Sequence, residues 1–101
     1  MRDKVSTPTV SVITVSYNRE QTIEKAICSV LEQTYSKLEY IIIDGASTDE
    51  TMKIVKNYED HIKTFISEPD GGIYDALNKG IKQSTGDIIC FMHSVQLVFY
   101  A

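Results

Sequence analysis

The sequence lacks the features that mark secreted and membrane-spanning proteins. It has only two cysteines, Cys28 and Cys90, which are too few for a disulfide framework. Both lie in apolar runs, where we expect buried, reduced thiols. No apolar run approaches the roughly 20 residues of a membrane-spanning helix, and the polar start of the chain does not resemble a signal peptide. We therefore expect a cytoplasmic protein.

Clusters of basic residues are also missing. Ten Lys and Arg residues stand against 14 Asp and Glu residues, and the formal net charge is −4. This balance argues against a nucleic-acid partner, which requires a basic surface. Neither GxGxxG nor GxxxxGK[ST] occurs, so the dinucleotide fingerprint and the P-loop are absent. The remaining composition, 43% apolar and 24% charged over 101 residues, is that of one ordinary globular domain.

Strand-like and helix-like segments alternate along the chain. Apolar, β-branched runs predict four strands, at residues 10–16, 38–44, 64–67 and 87–93. Helical periodicity predicts three helices between them, and Gly86 is expected to end the third. This order predicts an α/β fold with three layers, built on a mostly parallel sheet of about four strands. Residues 1–9 are expected to form a tail, and residues 10–101 the domain.

Polar or turn-forming groups follow the first three predicted strands. They are residues 17–18, 44–45 and 68–70. The carboxyl ends of parallel strands meet at one edge of a sheet, which is where α/β proteins bind ligands. We therefore expect the three groups to form one polar rim.

The first two groups each have two interpretations. Ser16, Tyr17 and Asn18 could hydrogen-bond to a nucleobase and stack on it, or Asn18 could cap the first helix. Asp44 could accept a hydrogen bond from a nucleobase or a ribose hydroxyl. The Ser47-to-Glu50 segment fits a capping box for the second helix, to which Asp49 would contribute its charge.

The third group combines glycines with nearby charges. Gly71 and Gly72 precede a predicted helix and expose backbone N–H groups that suit a phosphate. Lys79 could neutralise a diphosphate, or it could pair with Asp75 four residues earlier on the helix surface.

Taken together, the segments resemble family-2 glycosyltransferases. The similarity is carried by SVITVSYN, YIIIDGASTDET and EPDGGIYDALNKGIKQSTGDIICFMHS, and it covers roughly residues 10–94. It implies a GT-A, Rossmann-like fold and a nucleotide-diphosphate sugar donor. It also implies inverting transfer to a saccharide or lipid-linked acceptor, as in bacterial polysaccharide assembly, and usually Mg²⁺ or Mn²⁺.

The resemblance also implies which residues bind the donor. Many relatives have a second aspartate that holds uracil, at the position where this chain has Gly45. The matching positions for nucleotide-sugar binding are Ser16, Tyr17, Asn18, Asp44, Asp70, Asn78 and Lys79.

The chain departs from the family pattern near its end. Two metal-binding aspartates should follow Ser94, but the sequence has Val95 and Gln96 there, and the half with the acceptor site and catalytic base does not follow. We therefore expect no metal ligands or catalytic residues, no transfer by this chain alone, and a truncated, frameshifted or degenerate origin. The alternative is a non-catalytic nucleotide-binding or self-associating module, dimerising through the apolar tail at 95–100.

Overall fold

A computed structural model describes residues 7–93 and 96–100, with the side chains of residues 7–92. Three α-helices, one 3-10 helix and five strands alternate along these residues. Their order is β1 (Val10–Ser16), α1 (Ile23–Leu31), β2 (Leu38–Asp44), α2 (Thr51–Lys56), the 3-10 helix (Glu59–His61), β3 (Thr64–Ser67), α3 (Ile73–Gln83), β4 (Ile88–His93) and β5 (Gln96–Tyr100).

The five strands form one sheet in the order β3-β2-β1-β4-β5. Strands β1 to β4 pair in parallel, which confirms the predicted parallel sheet of four strands. Strand β5 is an addition, because it pairs antiparallel with β4 at one edge. Residues 96–100 therefore lie beside the fourth strand and do not prolong it.

Helices cover both faces of this sheet, as the three-layer prediction requires. Helices α1 and α2 share an apolar cluster with Ile42, while α3 packs through Ala76 against Ile41 and Ile43 on the other face. Successive residues of a strand point to opposite faces. The unbroken apolar run of β2 therefore supplies both layers of the core.

Helix α3 approaches the sheet most closely at Gly80. A Cβ atom at this position would lie 2.6 Å from Cγ2 of Ile13 on β1. Glycine has no Cβ, so helix and strand can touch here without displacing the isoleucine.

A charged network joins the elements at the amino ends of the strands. Glu39, only 6% exposed, accepts hydrogen bonds from Ser11 Oγ (2.7 Å), Lys63 Nζ (2.6 Å), and the backbone N–H (2.8 Å) and Oγ1 (2.5 Å) of Thr85. Burial works to raise the pKa of Glu39, but Lys63, Thr85 and Ser11 together lower it to about 2. The carboxylate is therefore ionised and links β1, β2, and the segments before β3 and β4.

Two helix-start predictions are wrong. Helix α1 begins at Ile23 with Thr22 at its N-cap, so Asn18 does not cap it. Helix α2 has no side-chain hydrogen bond at its N-cap, so the Ser47-to-Glu50 segment is not a capping box. Both Asn18 and Ser47 make hydrogen bonds elsewhere, as described below, and are therefore not available as caps.

Two smaller expectations also need correction. Helix α3 ends at Gln83, before Gly86, where a Cβ would lie 2.8 Å from the backbone N of Ser11. Gly86 therefore allows the chain to pass close to β1, and it does not end the helix. Both cysteines are free, and Cys90 is buried as expected, but Cys28 is only partly buried.

Candidate functional site

A cavity of about 550 Å³ opens at the carboxyl ends of the parallel strands. The register aligns Ser16, Asp44 and Ser67, the last residues of β1, β2 and β3, which confirms the single polar rim. The cavity wall combines apolar and polar groups, as small-molecule sites do. Its lining residues are Val15, Ser16, Tyr17, Arg19, Gly45, Pro69, Asp70, Gly72, Ile73 and Ala76.

Asp44 lies beneath this cavity and is completely buried. Oδ1 accepts hydrogen bonds from Ser16 Oγ (2.7 Å) and Ser47 Oγ (2.6 Å). Oδ2 accepts hydrogen bonds from Ser47 N–H (2.8 Å) and Ser67 Oγ (2.9 Å). All four donors are uncharged, and together they tie the ends of β1, β2 and β3 to one carboxylate. The predicted contact of Asp44 with a donor nucleotide stays a prediction.

Asn18 joins the loop after β1 to the loop after β2. Its backbone N–H donates to Ser47 Oγ (2.8 Å), and its Oδ1 accepts from the N–H groups of Thr48 (2.8 Å) and Asp49 (3.3 Å). Next to it, Arg19 N–H donates to Thr51 Oγ1 (2.8 Å) at the start of α2. The rim loops are thus fixed to each other by side chains about 30 residues apart in sequence.

The backbone of the rim carries unusual dihedral angles. Asn18 (φ 51°), Ala46 (φ 65°) and Gly72 (φ 114°) are the residues with positive φ in the part of the chain that the structure describes. One lies after each of the first three strands. Asparagine and glycine adopt this region readily, but alanine does so at a cost. Such conformations concentrate at ligand-binding sites.

The backbone N–H groups before α3 already donate hydrogen bonds to carboxylate side chains of the chain. Asp70 Oδ1 accepts from Gly72 N–H (3.0 Å), and Asp75 Oδ2 accepts from Gly71 N–H (3.0 Å). The Gly71 bond, with the charge of Lys79, lowers the pKa of Asp75. The N–H groups expected to receive a phosphate therefore already have anionic partners.

Lys79 and Asn78 lie outside the cavity wall. Lys79 Nζ is 3.2 Å from Glu68 Oε1 and 3.6 Å from Asp75 Oδ2, so the surface-pair interpretation describes its geometry. Partial burial opposes the charged form, but these neighbours and Asp70 raise the pKa of Lys79. Asn78 is exposed on α3.

The structure sorts the seven residues predicted to bind the donor into three groups. Ser16, Tyr17 and Asp70 line the cavity, Asn18 and Asp44 support its rim, and the remaining two lie on α3 away from its wall. Asp70 faces Gly45, because a Cβ on Gly45 would lie 3.1 Å from Asp70 Oδ2.

Ile73 and Arg19 are among the lining residues that the sequence did not predict for the site. Ile73 is 50% exposed at the start of α3. Arg19 is an exposed cation directly after the Tyr17-Asn18 pair. Its position next to a predicted ligand-binding group was the signal that could have identified it.

The chain offers a poor donor set for a divalent cation. No group of three or more His, Cys, Asp or Glu residues able to hold a metal is found among the described residues. Positions 95 and 96, where the resemblance leads us to expect aspartates, carry valine and glutamine, and Val95 lies outside the described residues. Divalent magnesium and manganese require oxygen ligands, and valine supplies none. The residues present therefore do not fit a metal held by two carboxylates.

A further observation concerns membranes. Among the helices of residues 7–93, none combines the length and the apolar character that a membrane crossing needs.

The chain is similar to known glycosyltransferases in sequence and in structure. A glycosyltransferase of Mycobacterium tuberculosis, MT1564, is 43% identical over 90 residues, which cover 88% of this chain and 34% of that protein. The mannosyltransferase PcManGT of Pyrobaculum calidifontis, solved with GDP-Man and Mn²⁺, superposes with a TM-score of 0.79 at 31% identity. Residues 1–349 of TarS from S. aureus, solved with UDP-GlcNAc, superpose with a TM-score of 0.78 at 28% identity.

The coverage of these matches is uneven. The two structural matches cover 86% and 85% of this chain but 27% and 26% of the solved chains. The chain thus spans about a third of the length of the mycobacterial relative and about a quarter of the two solved chains. The family profile described as Glycosyl transferase family 2 matches residues 11–94. The parallel sheet, the cavity at its carboxyl edge and this match over most of the sequence place the chain in glycosyl transferase family 2, with the GT-A fold.

Proposed function

We propose that this chain forms the nucleotide-sugar-binding half of an inverting GT-A glycosyltransferase domain. The observation that carries the proposal is the cavity at the carboxyl edge, which has an aromatic wall at Tyr17 and a carboxylate at Asp70. Its volume of about 550 Å³ suits a ligand of nucleotide size. Structural relatives hold GDP-Man and UDP-GlcNAc, which supports a nucleotide sugar as the ligand class.

The lining residues suggest how a nucleotide would bind. Tyr17 is 57% exposed and offers a ring face on which a base can stack. Ile73 supplies apolar contact from the opposite element, α3. Asp70 can accept hydrogen bonds from ribose or sugar hydroxyls. In this proposal Asn18 and Asp44 act from below, by holding the loops that carry these groups.

We also propose that this chain alone does not transfer sugar. A departing nucleotide diphosphate develops negative charge, which glycosyltransferases with a bound metal neutralise. Valine and glutamine at positions 95 and 96 cannot supply the carboxylates for that role. No described side chain is assigned as the base that would deprotonate an acceptor hydroxyl.

Calorimetric titration tests the binding proposal directly. Wild-type protein is titrated with UDP and GDP, with and without Mn²⁺. We expect one of the two to bind, with no gain from Mn²⁺. Tyr17→Ala should weaken that binding about tenfold, because a base-aromatic stack contributes roughly 1–3 kcal/mol.

Tyr74→Ala is the matched control. Tyr74 is 80% exposed and lies outside the cavity wall, so its loss should leave affinity unchanged. Absence of binding by wild type would refute the proposal. Binding enhanced by Mn²⁺ would show that the chain does hold a metal together with the nucleotide.

Two finer proposals concern the surroundings of the protein. Strand β5 lies at the sheet edge, where unpaired backbone groups can join a second chain, and this supports the alternative of a self-associating module. The free thiols of Cys28 and Cys90 support a reducing compartment such as the cytoplasm.

A further inference from the structure

We propose that Arg19 binds the diphosphate of the nucleotide ligand. The inference rests on the proposed function, since it assigns a contact within that site. Among the residues that line the cavity, Arg19 is the one with a cationic side chain. Its guanidinium can donate two parallel hydrogen bonds to phosphate oxygens, a geometry that a lysine cannot match.

The other candidates for this role already have partners. Lys79 Nζ lies within 3.2 Å of Glu68 and 3.6 Å of Asp75. The N–H groups of Gly71 and Gly72 are held by Asp75 and Asp70. A diphosphate could recruit these groups only by displacing carboxylates that already neutralise them. In contrast, no salt bridge to Arg19 is present among the described side chains.

The backbone around Arg19 is anchored on both sides. Its N–H donates to Oγ1 of the fully buried Thr51 (2.8 Å), and its carbonyl accepts from Thr22 N–H (3.0 Å) and Ile23 N–H (2.8 Å). The side chain itself is exposed. The backbone of Arg19 is therefore held at the cavity mouth. Only its side-chain torsions remain to be fixed when a ligand binds, which limits the entropic cost of binding.

The charges around the cavity also favour a cation as the contact for a diphosphate. The wall contains Asp70, and below it lies the buried carboxylate of Asp44, which has no cationic partner among the described side chains. The chain as a whole carries a formal charge of −4. A nucleoside diphosphate would add further negative charge. Among the residues that line the cavity, Arg19 is the group that can compensate it.

The test compares a nucleotide with its nucleoside. Wild type, Arg19→Gln, Arg19→Lys, the competing candidate Lys79→Gln and the control Lys53→Gln, at an exposed lysine outside the cavity wall, are titrated with UDP and uridine, and with GDP and guanosine. We expect Arg19→Gln to lose about tenfold in affinity for the diphosphate and nothing for the nucleoside. Arg19→Lys should lose less than Arg19→Gln, and the control Lys53→Gln should match wild type. Circular dichroism of each variant checks that the fold is unchanged.

The outcomes distinguish a failure of the Arg19 assignment from a failure of the proposed function. If wild type binds a diphosphate and Arg19→Gln binds it equally well, the assignment of Arg19 is wrong and the proposed function stands. Equal losses for diphosphate and nucleoside would show that Arg19 only supports the loop. A loss in Lys79→Gln alone would transfer the role to Lys79. If wild type binds neither diphosphate, both proposals fail.

Discussion

The two ends of strand β2 each bury a carboxylate, but they balance its charge differently. Glu39, near the amino end, has an ionic partner in Lys63 at 2.6 Å, together with uncharged donors. Asp44, the last residue, has four uncharged donors and no salt bridge among the described side chains. The amino end is therefore a neutralised structural link, whereas among the described side chains the carboxylate at the carboxyl end has uncharged donors only.

Backbone strain follows the same division. The positive-φ residues of the described chain, Asn18, Ala46 and Gly72, all lie in loops at the carboxyl end. No comparable conformation occurs in residues 7–93 at the amino end. Strained backbone reduces stability, so its concentration at the end that carries the cavity supports the proposal that this end binds a ligand.

The largest expected effect concerns the amino end and its pH dependence. The pKa of Glu39 is about 2 in the fold, against an ordinary 4.5, so its contribution is present above pH 4.5 and is lost as pH falls towards 2. A shift of this size corresponds to up to about 3 kcal/mol. Glu39→Gln should therefore lower the unfolding free energy by about 3 kcal/mol at pH 7 and by little at pH 2, measured by urea denaturation.

The exposed Glu59 provides the control for this prediction. Glu59→Gln should leave the unfolding free energy unchanged at both pH values. An equal loss for Glu39→Gln at pH 7 and at pH 2 would mean that packing, and not charge, accounts for the effect of Glu39.

The next largest effect distinguishes a structural role of Asp44 at the carboxyl end from its direct contact with the ligand. Asp44→Asn replaces an acceptor of four hydrogen bonds by a group that also donates, and we expect a stability loss of about 2 kcal/mol. Nucleotide affinity should fall as well, because the rim loops lose their common anchor. Urea denaturation and calorimetry measure the two quantities, and exposed Asp60→Asn serves as the control. Unchanged stability with lost affinity would instead indicate direct contact between Asp44 and the ligand.

The smallest effect addresses the strain itself. Ala46→Gly removes a left-handed alanine (φ 65°), a conformation that costs about 1–2 kcal/mol, but glycine adds flexibility to the unfolded chain. We expect a net gain of about 0.5 kcal/mol in thermal or urea unfolding. Ala26→Gly, inside α1, should instead destabilise by about 1 kcal/mol or more. A loss at both positions would show that the Ala46 conformation is not strained.

Local pattern was sufficient to predict the sheet and its polar edge. The alternation of apolar strands with helical periodicity predicted the parallel strands, and the polar residues after each strand predicted the rim. Pattern could not predict which polar groups face the ligand. Asn18 and Ser47 read equally well as helix caps, because their true partners lie in another loop 29 to 31 residues away.

The same limit explains why the partners of the charged residues were not predicted from the sequence. Lys79 looked available for a diphosphate, but its pairing with Glu68 depends on how α3 sits over the turn before it. The network of Glu39 went unnoticed because Thr85 is 46 residues distant. Arg19 was overlooked for a different reason, since its cavity becomes visible only when the loops after β1 and β3 are brought together.

The close contact at Gly80 determines the dimensions of a cavity it does not line. Helix α3 provides one wall through Ile73 and Ala76, and the same helix rests on Ile13 at the glycine. Any larger residue at position 80 would have to lift the helix or push the isoleucine aside, since even a methyl carbon would come within 2.6 Å. The spacing between helix and sheet, and with it the width of the cavity, therefore depends on position 80 carrying a hydrogen atom in place of a side chain.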